Sequence, residues 1–279
     1  MNTQTAVLLS ARLLSVGAVI EAAEILVTRA EYAKGGIYSW DLLRTDKRWT
    51  AIGPASGLVA MLFSPRFFSL LMVLQAAVAI FVLAVPAGPA LPFAIAALLL
   101  FRSAGNVRHK YGLDGSDQMT TIVLISLFLW YAAPGPLAKQ VAIWFIAFQS
   151  VLAYVSAGIA KVISTQWRSG SAVRDIVNTR TYGNRLAVQV FDRWPALKPI
   201  ACWGVILFEC SFPLALLSPK LAIAYFAFGA AMHLGIAAAM GLNNFLWAFI
   251  ATYPAIYIAA QDLSHLLTSS LRSHLRGLR

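Results

Sequence analysis

Charge is what this chain has least of. Only 12% of its 279 residues are Asp, Glu, Lys or Arg, against about 25% in soluble domains. Mean hydropathy is +0.72, and the apolar residues come in long blocks. Once those blocks are set aside, too little remains for a sizeable soluble domain. Cysteine is nearly absent. Cys202 and Cys210 fall in one predicted helix, roughly 12 Å apart along it, whereas a disulfide needs Cα atoms within about 7 Å. There is no CxxC, which argues against dithiol redox chemistry. The histidines form no HxxxH, HxxEH or Cys/His cluster, so metal-ligand spacing is missing. No GxSxG, glycine-rich phosphate loop or dinucleotide fingerprint occurs. Acidic residues number 11 against 22 basic ones, for a net charge of +11. With no soluble basic motif, that excess points away from nucleic acid and towards loops beside anionic membrane lipids. No internal repeat or low-complexity linker appears. The chain reads as one domain over 1–279 with a basic tail at 261–279, and a transporter built from repeated halves ranks last.

What is present is a series of apolar segments near the roughly 20 residues a spanning helix needs. About eight are expected, near 6–28, 66–86, 88–104, 117–134, 137–163, 199–218, 220–241 and 243–260. The predicted fold class is an all-α polytopic membrane protein with interfacial amphipathic helices. Residues 30–54 and 164–198 mix apolar and basic residues with Trp40, Trp49, Trp167 and Trp194. That composition suits helices lying in the membrane interface. "SGLVAMLF" at 56–63 is too short to span. Arg12, Glu21 and Glu24 interrupt the first segment, which reads as a retained helix rather than a cleaved signal. Alternating topology puts the loops after segments 1, 3, 5 and 7 on one face, here called the loop face. Most lysines and arginines gather there, leaving Lys139, Lys220 and the tail arginines opposite. By charge alone that face is cytoplasmic.

Ionisable residues inside spanning segments are costly and are default site candidates. Those counted are Arg12, Glu21, Glu24, Asp117, Lys161, Glu209 and His233. All but Arg12 fall in the half of the membrane nearer the loop face, so one shared polar cavity is geometrically open to them. Each has a plainer role. Lys161 sits near a helix end, where lysines reach out to headgroups. Glu21, Glu24 and Glu209 could partner Arg12, and His233 could join neighbouring helices. In "NVRHKYGLDGSDQMTTIV" (106–123), Asp114, Ser116, Asp117 and Gln118 crowd a helix start. They read as a capped helix start, with Ser116 or Asp117 as the N-cap and acids favoured at the positive end, or as a polar lip for a ligand. His109, between Arg108 and Lys110, reads as a solvated loop residue.

With these residues placed, a resemblance appears. "YVSAGIAKVISTQWRSGSAV" (154–173) resembles a stretch of the vitamin K-dependent gamma-carboxylase-like proteins, grouped with the horizontally transferred transmembrane domain (HTTM) proteins. The matching residues are Tyr154, Ala157, Gly158, Lys161, Trp167 and Gly170. "MHLGIAAAMGLNNFLWAFIATYP" (232–254) is similar to a second family stretch through His233, Gly241, Phe245 and Trp247, and Glu209 fits a glutamate before a proline. The resemblance implies a membrane enzyme acting on a reduced, vitamin K-like quinone. Lys161 would be the base and His233 would assist. Glu21, Glu24, Asp117, Gln118, Tyr154, Trp167, Glu209 and Asn243 would form the ligand surroundings. It also implies an outward loop face, opposite to the charge count, and a bacterial inner membrane. Two departures weaken the match to carboxylases proper. Ala160 stands where they carry a second lysine, and the chain ends soon after its last apolar segment, where they continue into a large β domain. Shorter relatives include a bacterial maturation protein. The alternative is therefore a non-catalytic accessory subunit that docks a peptide or another membrane protein.

Overall fold

The computed structural model describes residues 1–44, 56–109, 113–133 and 135–277. Trp49 and the remainder of 45–55 lie outside the described residues. All regular structure among the described residues is helical. Six helices are long and apolar enough to cross a membrane: α1 (Thr3–Val27), α4 (Pro65–Ala84), α5 (Ala90–Arg108), α7 (Pro136–Ile163), the continuous stretch Leu197–Leu217 and α12 (Pro219–Met240). Short helices α2 (Trp40–Leu43) and α3 (Ser56–Leu62) lie between α1 and α4. Leu197–Leu217 is α11 (Leu197–Ser211) continued by a 3₁₀ turn, Phe212–Leu217. These helices leave large apolar side chains outward, such as Phe93, Leu100 and Leu137. Water penalises such a coat, but lipid does not.

Helix starts follow local chemistry. Asn2 caps α1 by accepting from the Thr5 amide at 2.8 Å. Proline opens α4, α7 and α12, where no amide partner is needed. α6 (Gly115–Ala132) begins with a reciprocal capping box in which Asp114 is the N-cap and Asp117 bonds back to its amide. The loop therefore caps the helix as expected, but through Asp114 rather than Ser116 or Asp117. α6 is the expected fourth segment but is not among the six long apolar helices. α7 has 28 residues, about 42 Å of helix, and its stripe of Ile143, Ile146, Ser150, Tyr154 and Gly158 faces the core.

The expected eighth segment, 243–260, is two helices, α13 (Asn243–Ile250) and α14 (Tyr253–Gly277). At the break the Thr252 hydroxyl donates to the Phe249 carbonyl at 2.7 Å and lies 2.9 Å from the Ser150 hydroxyl. These bonds satisfy groups that a buried break would otherwise orphan. Past the break, Ala255, Ile256, Ala259 and Ala260 are buried. α14 then leaves the core on the face where α7 begins: Trp144 and Gln140 donate to Asp262 at 3.1 and 3.2 Å.

The expected interfacial stretch 164–198 folds into α8 (Thr165–Ser169), α9 (Ala172–Val177) and α10 (Arg185–Arg193). On the same face, Tyr32, Trp40, Phe63, Phe68 and Met72 build a second small apolar cluster.

Candidate functional site

α7 and α11 touch backbone to backbone at Gly158. A Cβ there would stand 2.8 Å from Cys210 Sγ and 2.9 Å from the Cys210 amide nitrogen. One turn further along α7, this contact brings Lys161 onto α11. Its amine donates to both oxygens of Glu209, at 2.8 and 2.7 Å. The Lys161 side chain is 19% exposed and that of Glu209 7%. Lys161 therefore turns inward to a carboxylate rather than outward to headgroups. The amine also lies 5.0 Å from the centre of the Trp167 ring, within cation–π range. α8 holds that tryptophan. It ends at Gly170 in the left-handed region (φ 83°), where a Cβ would come within 2.7 Å of Pro199 Cα. Trp203 fastens the junction by donating to the Arg168 carbonyl at 3.2 Å.

His233 projects from α12 into the same region and is only 3% exposed. Its Nε2 lies 2.9 Å from the Tyr154 hydroxyl, and that hydroxyl lies 3.3 Å from the Tyr253 hydroxyl. Phe249 stacks on the imidazole with centroids 4.8 Å apart. The other ring nitrogen, Nδ1, is buried without a hydrogen-bond partner. Counting donors assigns the chain. If Tyr253 donates to Tyr154 and Tyr154 to Nε2, one buried group is left over, an Nδ1–H. The reverse order leaves both the Tyr253 hydrogen and the Nδ1 lone pair unmet. Unmet buried groups are penalised, so the first order is favoured and the orphan is a donor.

Lys161, Glu209, His233, Tyr154 and Trp167 all border one cavity of about 460 Å³, whose remaining wall is almost wholly apolar. Its volume is that of a small-molecule site, about 300–1,000 Å³. On the loop face α9 and α10 cover it with Ile176, Ala187 and Phe191. Outside that cover, Asp192 accepts from Arg174 at 3.1–3.2 Å and pairs with Lys198 at 3.3 Å. Hydrogen bonds from Arg174, then from Lys198, hold the Asp192 carboxyl below the usual range, and the Asp192 bond raises Arg174 in turn.

The other expected residues gather elsewhere. Arg102 forms ion pairs with Glu21 of α1 and Asp117 of α6. Gln75 of α4 donates to Glu21 and to the Ala18 carbonyl, each at 3.1 Å. Asp117 also accepts from the Asp114 amide at 2.7 Å. The adjoining cavity of about 20 Å³ is of the size one water needs. α13 stands between the two sites. Asn244 and Trp247 face the small cavity, while Phe245 and Phe249 face the large one. The single shared polar cavity open to these residues in the sequence is thus two sites. Glu24 accepts from Asn243 at 2.5 Å on an exposed edge, tying α1 to α13. Gln118 borders a separate groove with Asp114 and Thr121. Arg12 does not meet the glutamates: it donates to the Val85 carbonyl at 3.2 Å.

His109, expected in solvent, is packed instead. It meets the Tyr32 hydroxyl through Nε2 and the Gly105 carbonyl through Nδ1, both at 2.9 Å, with Tyr38 and Phe68 around it. Burial lowers its pKa and pushes Tyr32 up to about 12. Arg102, Gln75 and Tyr253 went unmarked in the sequence. Arg102 was readable, being an arginine inside the predicted segment 88–104. The other two carried no signal, since an amide and a tyrosine are common in membrane helices. Among the described residues no group of His, Cys, Asp and Glu is placed to hold a metal ion.

The chain matches no protein-family model, no curated protein and no solved structure.

Proposed function

We propose that this is an integral membrane protein that takes a lipid-soluble quinol, or a chemically related lipid, into the cavity between α7, α11 and α12. There it handles a proton at the ligand's head through Lys161. The carrying observation is a half-buried lysine held by a buried carboxylate on the wall of a mostly apolar cavity. The fit to an oxygen-bearing head rests on the orphaned His233 Nδ1, a buried donor in need of an acceptor. A reduced quinone would supply an acidic hydroxyl and electrons for oxygen chemistry. The protein's own part is proton handling. A proton on the Lys161 amine has Glu209 as a resting place 2.7 Å away, and its departure leaves a neutral amine able to act as a base. Tyr253 and Tyr154 hold the His233 tautomer, and the apolar wall excludes water. The resemblance to vitamin K-dependent carboxylase-like and HTTM proteins agrees with this reading at Lys161, Trp167 and His233.

A second reading has an observation of its own. Both Glu209 oxygens and the Trp167 face engage the Lys161 amine, which is also how a structural clasp between α7 and α11 would be built. The protein would then be a maturation or accessory subunit, and the basic α9–α10 surface would dock a peptide or another membrane protein.

Organic extraction and mass spectrometry of lipids co-purifying with the detergent-solubilised protein, wild type beside Lys161→Met, separates the two. A quinone near one per protein in the wild type, lost or altered in the variant, is expected. Bulk phospholipid alone in both would overturn the lipid-ligand reading.

A further inference from the structure

α11 and α12 are consecutive and antiparallel, joined at Ser218. Near that joint they pack closely. Phe208 lies 4.7 Å from Phe228 and Phe212 lies 5.7 Å from Tyr225, centroid to centroid. Tyr225 donates to the Ser211 hydroxyl at 2.8 Å. Towards the loop face the two helices part. Ala201 and Val205 of α11, and Gly235 and Ala239 of α12, border the cavity. Gly235 is exposed, and a Cβ built on it would meet no atom within 4 Å. The cavity therefore reaches the outside of the bundle at Gly235. That glycine lies five residues before the end of α12, about 8 Å along the axis, so the opening is on the flank of a spanning helix. Straight above, towards the loop face, α8–α10 cover the cavity, and Asp192 joins α10 to Arg174 of α9 and Lys198 of α11. Flanking the gap, Ile200, Leu207 and Leu234 face outward.

We infer that the gap between α11 and α12 at Gly235 is a lateral portal. Through it, the ligand passes from the bilayer into the cavity. The ligand class is a lipid with one long hydrocarbon or isoprenoid chain and a compact oxygen-bearing head. The polar groups sit together at Lys161, Glu209, Tyr154 and His233, leaving the rest of the wall apolar. The head stops at these groups. The chain lies against Val205 and Ala239, and its excess length stays in the bilayer through the gap. A ligand needing full enclosure would not fit an open flank, nor would a water-borne one find an apolar portal favourable. This inference rests on the reading of the cavity as a lipid-ligand site.

The test uses palmitic acid carrying a diazirine in its chain, added to the full-length protein in phosphatidylcholine vesicles and cross-linked by light. Wild type, Gly235→Ala and Gly235→Leu are compared, and labelled residues are mapped by tandem mass spectrometry. The open space at Gly235 lets both variants fold, which matched thermal melts check. In wild type and Gly235→Ala, label is expected on the interior residues Val205 and Phe245 as well as on the outer residues Ile200 and Leu207. Gly235→Leu should lose the interior label and keep the outer one. Interior labelling of Gly235→Leu equal to wild type, or its absence from wild type, overturns the portal. Lipid extraction of the same samples separates this from the function. Interior label without a co-purifying quinone leaves the portal standing and removes the quinol. A quinone retained equally by wild type and Gly235→Leu, with interior label unchanged, does the reverse.

Discussion

A lysine amine held by both oxygens of a buried carboxylate can serve as a clasp or as a proton-handling group, and removing the partners singly and together tells these apart. Glu209→Gln leaves the Lys161 cation against Trp167 and an apolar cavity without its counter-charge. Breaking such a pair costs about 3–5 kcal/mol, so a drop in melting temperature of the solubilised protein is expected. Lys161→Met combined with Glu209→Leu removes both charges at similar volume, which is often neutral for stability. The double variant should melt closer to wild type than either single change, a non-additivity expected of residues in contact. Lipid-ligand retention should not return with the stability. If it does, the pair is a clasp between α7 and α11, and Lys161 is not the group that handles the ligand's proton. The candidates Lys161, Glu209 and His233 were legible in the sequence because an ionisable group in an apolar run stands out. Their partners were not. Which carboxylate Lys161 meets depends on the neighbours of α7, and one chain's hydropathy does not encode helix neighbours. Hence Glu21 and Asp117, alike at the level of sequence, belong to Arg102 and a different site.

Elements set the spacing that makes the pair. Gly158 allows α7 to lie on the Cys210 backbone, and Lys161 follows one turn later. Gly158→Ala puts a methyl 2.9 Å from a backbone nitrogen, where no flexible side chain can yield. α11 must then move away by tenths of an ångström. Overpacking of this kind costs about 1–3 kcal/mol, partly offset by about 1 kcal/mol of helix propensity. Net destabilisation in a thermal melt, with weaker retention of the lipid ligand, is expected. A variant as stable and as well loaded as wild type would show that the close approach is dispensable. The apolar blocks revealed the long helices well, because length and hydropathy decide a span. They hid the break at Thr252, since Ala251 and Tyr253 continue the apolar run. A cue was present in Pro254, which sits in the first turn of α14 and favours a helix start over a helix interior. The amphipathic cover of α8–α10 was legible as an interfacial stretch, but its place over the cavity was not, being set by contacts such as Gly170 on Pro199.

For the molecule as a whole, the open matter is which way it faces. From the end of α7 through the first turn of α11 alone, the loop face carries Arg168, Arg174, Arg180, Arg185, Arg193 and Lys198. That connection is short enough for basic residues to govern orientation, which they do over loops up to about 60 residues. The opposite face bears Lys139 and Lys220 among the described side chains. We therefore expect the loop face in the cytoplasm, against the outward placement that the family resemblance implies. The fold supplies reporters for both faces. Asn2, at the start of α1, and His265, just past the Asp262 contact with α7, are exposed on one face, and Arg180 is exposed on the other. In a background with Cys202→Ser and Cys210→Ser, the single substitutions Asn2→Cys, His265→Cys and Arg180→Cys would each meet a membrane-impermeant maleimide applied to intact cells. Asn2→Cys and His265→Cys should react from outside, while Arg180→Cys should react only after the membrane is opened. The reverse pattern would put the loop face outward, as the resemblance implies. Reaction of Asn2→Cys and His265→Cys from opposite sides would mean that the broken pair α13–α14, or α6, does not complete a crossing. The cavity, its polar end and its portal would then have to be placed afresh against the bilayer.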